Sequence, residues 1–276
     1  MQISILTFLI IFLSGFSNKV HAFESVKPLG QRKPTRLEAT TFQFDRDEFR
    51  DLLQEGVPAP ALERVLHFIH KAEGHTIMVQ ADRRKVPKRL ENTDQVVIID
   101  YSQPSVEKRL FLIDLEKRTV EKHLVAHGVG SGGLEAQRFS NKMNSKQSSL
   151  GFYMTGPRYM GKWGVALKLF GLEKSNDQAY SRYVVMHGAP YVSSDFIEAR
   201  GFLGRSHGCP ALELDVAKAL IPQIENGTLI YAYHKDLSYE AFANPQFQEL
   251  DTALEQNAEE TDEEKQLNEQ GVIPRI

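Results

Sequence analysis

Read for the spacing of apolar positions, the chain divides into a short helical part, a long β-rich part and polar ends. Between Asp45 and Leu53, and again between Ala59 and Glu73, apolar residues recur at helical spacing. Leu62, Val65, Leu66 and Ile69 form one face of the second helix, and Gly74 stands just past its end. Two β-branched runs follow, Gln95–Asp100 and Arg109–Asp114. A turn over Asp114–Arg118 leads into a third strand, Thr119–Ala126, so this region reads as hairpins. The basic stretch Arg83–Arg89 reads as a surface loop, and Gly156–Ala179 as a long glycine- and aromatic-rich loop. Further on, the pattern predicts a strand over Arg182–His187 and a short helix over Asp195–Arg200. A helix over Leu214–Ile224, closed by Asn226-Gly227, and a final strand over Thr228–Tyr233 complete it.

The ends differ in kind. Ile3–Phe16 is an apolar run too short to span a bilayer, and Val20-His21-Ala22 has small residues where a signal peptidase reads, so residues 1–22 are expected to be a secretory signal. Residues 23–44 are a polar linker with Pro28 and Pro34, residues 45–236 the folded domain with its helical part over 45–94, and residues 237–276 an acidic tail. From Glu249 to Glu269 the tail carries nine acidic residues and one lysine, so the formal charge of −3 for the 276 residues hides a mildly basic body. The basic residues of Arg83–Arg89 have no aromatics among them, which argues against a nucleic-acid surface.

One residue carries most of the chemical information. Cys209 is the sole cysteine, so no intrachain disulfide forms, and an unpaired thiol in an exported protein favours a chemical use. It lies in the polar turn Ser206-His207-Gly208-Cys209-Pro210, where a core filler is not expected. His187 ends an apolar strand 22 positions upstream. A cysteine and a histidine suffice for thiolate catalysis, the sulfur attacking and the imidazole carrying the proton. Gly208 permits a sharp turn, so the amides of Gly208 and Cys209 are candidate oxyanion donors. The helix expected from Leu214 would begin just after the cysteine and favour the thiolate. His207 competes with His187 for the role of base. His123 and His127 are four apart, a zinc spacing on a helix, but on a strand they would stand about 13 Å apart. No metal is therefore expected.

His187, followed at set distance by Ser206-His207-Gly208-Cys209, resembles the signature of the L,D-transpeptidase (YkuD-type) catalytic domain. The likeness extends to His127-Gly-Val-Gly-Ser131-Gly132, Phe139-Ser-Asn141, Ser148-Ser149-Leu-Gly151 and Tyr159-Met-Gly161-Lys162, and is similar to the subfamily with a Gly-Cys-Pro-Ala core. It covers roughly residues 45 to 236. The resemblance implies an α+β fold with a mixed β-sheet or β-sandwich core and flanking helices. It implies Cys209 as nucleophile, His187 as base oriented by the Gly188 carbonyl, and a capping region over 156–179, where Tyr159 and Trp163 are candidate substrate contacts. It further implies a cell-envelope enzyme without cofactor, acting on peptidoglycan stem peptides and acylated by carbapenems. The cysteine would take the acyl group from the diaminopimelate–D-alanine bond and pass it to an amine, to water or to a D-amino acid. One position departs: the better-known branch has an arginine two residues after the cysteine, and here it is Ala211. Arg182 or Arg205 is expected to fill its role, with Ser149 lining the site and Ser206 bonding within the turn. Two other classes stay open, a silent wall-binding module and a metallo-amidase built on His123, His127, His187 and His207. A papain-like order of residues is disfavoured, since there the cysteine precedes the histidine.

Overall fold

The computed structural model describes residues 44–72 and 74–235. The expected signal segment, almost all of the linker and the acidic tail lie outside them. Among the described residues no helix is long and apolar enough to cross a membrane.

Two strands that are apolar on both faces set the layering. β3 (Asn92–Asp100) is buried from Val96 to its end, and β10 (Thr228–Tyr233) is buried throughout. They pair in parallel, and a parallel pair with no polar face has to be covered on both sides. Around them the chain lays down β4 (Leu110–Asp114), β5 (Thr119–His123), β6 (Gly151–Gly161), β7 (Gly164–Gly171), β8 (Val185–Gly188) and β9 (Ala211–Leu212). The result is one mixed sheet of eight strands in the order β5-β4-β3-β10-β6-β7-β8-β9. β8 and β9 are its second parallel pair.

Alternation sorts the side chains between two cores. Val96, Ile98, Phe152, Phe170, Leu229 and Tyr231 face α1 (Arg50–Gln54), α2 (Ala59–Ala72) and a separate hairpin of β1 (Ile77–Ala81) and β2 (Arg84–Lys88). Val97, Ile99, Leu167, Met186 and Ile230 face α4 (Leu214–Ile224) through Ala217, Leu220, Ile221 and Ile224. Helices on both faces of a mixed sheet make this the α+β domain expected. α2 presents Leu62 and Val65 as expected, with Phe68 added, while Leu66 and Ile69 pack at the margin.

Four boundaries differ from the sequence reading. The first helix is only Arg50–Gln54, because residues 46–49 form turns. Arg83–Arg89 is not a loop: Val79 and Val86 pair across the β1–β2 hairpin and pack on the core, leaving the basic side chains outward. Gly156–Ala179 is likewise not a long loop, since β6 and β7 run through it as a hairpin turning at Lys162-Trp163. β8 starts at Val185, not Arg182, because residues 175–183 form turns that end with Tyr183 at φ 55. α3 (Ser194–Arg200) is capped by Ser193, whose hydroxyl accepts from Phe196 N–H at 3.1 Å.

Phe152 is the centre of the first core, its ring 4.6 Å from that of Phe68 and 4.3 Å from that of Tyr231. Phe152→Ala should cost about 3–5 kcal/mol of stability. Urea unfolding should show this as a lower midpoint with an unchanged slope.

Candidate functional site: a thiol at the end of a backbone ladder

The site begins with the parallel ladder between β8 and β9. His187 N–H donates to Pro210 O at 3.3 Å and Ala189 N–H to Leu212 O at 2.8 Å. Val185 N–H, two residues earlier on the same edge, meets no carbonyl; it donates to Cys209 Sγ at 3.5 Å. The sulfur thus stands where the next backbone acceptor of the ladder would be. Its own S–H is directed at Tyr183 O, 3.6 Å away. Tyr183 is 81% exposed with φ 55, a region uncommon for an aromatic residue and costly enough to suggest a functional constraint.

Burial pushes the Cys209 thiol above the ordinary thiol range; the Val185 N–H and the Arg182 charge pull it back in part. The resting form is therefore the neutral thiol. The helix expected to favour a thiolate does not adjoin it: β9 and Glu213 separate Cys209 from the start of α4.

His187 is half-buried on β8, and its Nδ1 lies 2.9 Å from Gly188 O. A carbonyl can only accept, so the proton sits on Nδ1 and Nε2 keeps its lone pair. No hydrogen bond joins the two described side chains of His187 and Cys209. Gly188 itself faces α4, where a Cβ would approach Leu214 and Ala217 to about 3.1 Å. His207 is exposed and makes no hydrogen bond among the described residues.

The cysteine turn is held from within and from behind. Ser206 Oγ accepts from Gly208 N–H at 3.1 Å and donates to Cys209 O at 2.6 Å. This corrects the expected oxyanion pair, because the Gly208 amide is already spent on Ser206. Gly208 has φ 121, and a Cβ there would fall 2.8 Å from Gln147 O. Ser148 Oγ donates to Gly208 O at 3.2 Å and accepts from Gly128 N–H at 3.0 Å. Ser148 N–H is in turn held by Ser131 Oγ at 2.9 Å. The sequence reading passed over Ser148, Ser131 and Gly128 as site residues, although all three lie in the motifs it quoted.

The remaining candidates divide between structure and surface. Arg182 donates to Ser140 O at 2.8 Å, Gln147 O at 2.7 Å, Ser145 Oγ at 3.2 Å and Ser149 Oγ. Four of its five N–H groups therefore clamp residues 140–149 against the turn. Ser149 is buried, donates to Ser140 O at 3.0 Å and does not face a cleft, which corrects its expected place in the lining. Arg205 donates to Gly132 O at 2.8 Å and lies over the Phe202 ring. Trp163, at the β6–β7 turn, is 43% exposed under Lys162 Nζ. Tyr159 stands opposite Ala166, which in turn is opposite His187, so Tyr159 and His187 share a face of the sheet.

The two upstream histidines do not meet as ligands. His127 is wholly buried, with Arg109 Nη2 at 2.8 Å from its Nδ1, while His123 lies near Glu121 on β5. Among the described residues no group of three His, Cys, Asp or Glu side chains is placed to hold a metal. Burial first, and then the Arg109 charge, lowers His127 to about 4. Its unfolded counterpart takes a proton near 6.5. Stability from this residue is thus complete above that pH and is lost as the pH falls through the window down to about 4, by roughly 3 kcal/mol in total. Urea unfolding at a series of pH values should show this slope in the wild type and lack it in His127→Gln.

With this geometry in place, residues 72–233, more than half of the chain, match the family model YkuD_2, described as an L,D-transpeptidase catalytic domain. No curated protein matches the chain. Among solved structures it is similar to an L,D-transpeptidase from Mycobacterium smegmatis, at 12% identity over 51% of this chain and 58% of that one, with a TM-score of 0.32. An L,D-transpeptidase from Xylanimonas cellulosilytica matches at 16% over 54% and 64%, with a TM-score of 0.30. One from Stackebrandtia nassauensis matches at 14% over 68% and 73%, with a TM-score of 0.33. The chain spans less than two thirds of the length of the first two, so the sequence match decides, and the chain belongs to the L,D-transpeptidase catalytic domain family.

Proposed function

We propose that the protein is a peptidoglycan L,D-transpeptidase working through a thioester on Cys209, in the cell envelope after removal of residues 1–22. Family membership supports the substrate class. The observation that carries the mechanism is the pairing of His187 Nδ1 with Gly188 O beside a sulfur held by the same strand.

The chemistry follows from those contacts. The thiol leaves the Tyr183 carbonyl and gives its proton to His187 Nε2, the nitrogen left free by the Gly188 bond. The thiolate attacks the carbonyl carbon between the L-centre of diaminopimelate and D-alanine. Cys209 N–H supports the oxyanion, without the Gly208 amide. When the tetrahedral species collapses, the C–N bond breaks, imidazolium returns the proton to the leaving amine, and D-alanine departs. The side-chain amine of a second diaminopimelate then attacks the thioester. His187 removes its proton and passes it to the sulfur, which regenerates the thiol and leaves a 3→3 cross-link. A raised thiol pKa fits this order, since the proton moves only when substrate displaces the Tyr183 contact.

Intact-protein mass after incubation with a carbapenem tests the site. The wild type should gain one drug mass and Cys209→Ala none. His187→Ala should acylate roughly 10²–10⁴-fold more slowly, while His207→Ala stays near wild type. With a tetrapeptide muropeptide, D-alanine release should accompany a cross-linked dimer. Activity that survives Cys209→Ala and is lost to a chelator would overturn this reading.

A further inference from the structure

Resting on the proposed reaction, the inference concerns how the enzyme recognises its donor when Ala211 replaces the expected arginine. Ala211 is wholly buried and pairs with Ala126 and His187, in a cluster with Leu124, Ala189, Val192 and Leu203. A charged side chain has no room there. Arg182 and Arg205 are committed to carbonyls and hydroxyls of their own chain.

A different cation is free of such duties. Lys168 on β7 stands opposite Val185, the residue whose N–H holds the sulfur. Side chains two apart on a strand share a face, so Lys168, Val185, Ala166 and His187 all project to one side of the sheet. On that side lies a cavity of about 340 Å³, within the usual range for a small-molecule site. Asp82, Tyr159, Lys168, Tyr180, Tyr183 and Val185 line it. Lys168 is half-buried, and its Nζ donates to Tyr180 OH at 3.2 Å and lies over that ring at 5.3 Å. It has no acidic partner among the described residues. Asp82, at the β1–β2 turn, makes no side-chain hydrogen bond or ion pair among them either. Its φ of 54 sets the turn that brings it to the cavity. The cavity thus offers one unpaired cation, one unpaired anion and three tyrosine rings. A half-buried ammonium without a counter-ion is costly unless a ligand supplies one.

We propose that this cavity binds the zwitterionic amino-acid end of the donor stem's diaminopimelate side chain. Lys168 takes its carboxylate, Asp82 takes its ammonium, and the tyrosines flank the methylene chain between them. This end belongs to the donor and not to the acceptor, because an amine paired as ammonium with Asp82 cannot serve as the attacking nucleophile. Val185 couples binding to chemistry, since it lines the cavity and holds the sulfur.

The test compares two disaccharide-tetrapeptide muropeptides, one with the free side-chain carboxylate of diaminopimelate and one with that carboxylate amidated. Binding is measured calorimetrically on Cys209→Ala protein, and turnover on protein with the native thiol. The free stem should bind roughly tenfold to a hundredfold more tightly than the amidated one. Lys168→Met should abolish that preference by weakening only the free stem, with the turnover effect carried in KM. Asp82→Asn should weaken both stems alike, since both keep the ammonium. Carbapenem acylation, which needs no such end group, should be unchanged in both variants and reports an intact fold and thiol. Equal binding of the two stems, or a preference that survives Lys168→Met, would overturn the proposal while leaving the reaction standing. Preferential binding through Lys168 without any turnover would instead uphold the pocket and overturn the transpeptidase reading.

Discussion

The position of one sulfur depends on the hydrogen-bond ladder between two short strands. Along one edge of β8 the amides of Val185, His187 and Ala189 point to β9, and they meet in turn a sulfur, a carbonyl and a carbonyl. Since β8 also carries His187, the relative placement of thiol and imidazole is set by backbone geometry, where rotamers of long side chains would be far looser. Much of the rest serves that ladder. β7 anchors β8 from the other side, α4 packs against Gly188, and Ser148 and Arg182 hold the turn that delivers Cys209.

Charge near the sulfur is arranged sparingly. Arg182 lies close enough to lower the thiol's pKa but is itself buried and saturated with acceptors, so it acts as a fixed positive background. Arg109 plays the corresponding part deeper in the fold, bonded to Val125 O and Gln103 O, with its guanidinium over the Tyr101 ring. Burying two arginines is tolerable because backbone carbonyls take their protons. The surroundings of Cys209 therefore combine a desolvated thiol with preset positive charge, a pairing suited to a proton that leaves only during reaction.

Much of the fold could be read from the sequence, for physical reasons that particular elements make plain. α2, α4 and β10 were legible because each has one strong period, helical for the first two and uninterrupted burial for the third. Arg84–Lys88 was hidden as a strand because its outward face is basic and only Val86 turns inward. The β6–β7 hairpin was hidden by its glycines, which resemble loop residues until a partner strand is known. At the site, Cys209 and His187 stood out by residue type and spacing. Ser148 and Lys168 did not, because their roles depend on which strands become neighbours, and pairings such as Lys168 with Val185 leave no local trace. The Gly208 amide was misread for a similar reason: a turn motif shows which N–H groups exist, not which hydroxyl has already claimed them.

The parallel pairing of β3 with β10 has a consequence for how the molecule comes into being. These central strands lie more than a hundred residues apart in the chain, and every other strand of the large sheet is laid down between them. Contacts of such high order close late and slowly, after the entropy of a long loop has been met. Until Tyr233 is in place, β3 and β6 each present an open apolar edge, the kind of surface on which chains associate wrongly. Chains broken off before that residue would be aggregation-prone fragments, even though they already contain Cys209, His187 and every other residue of the candidate site.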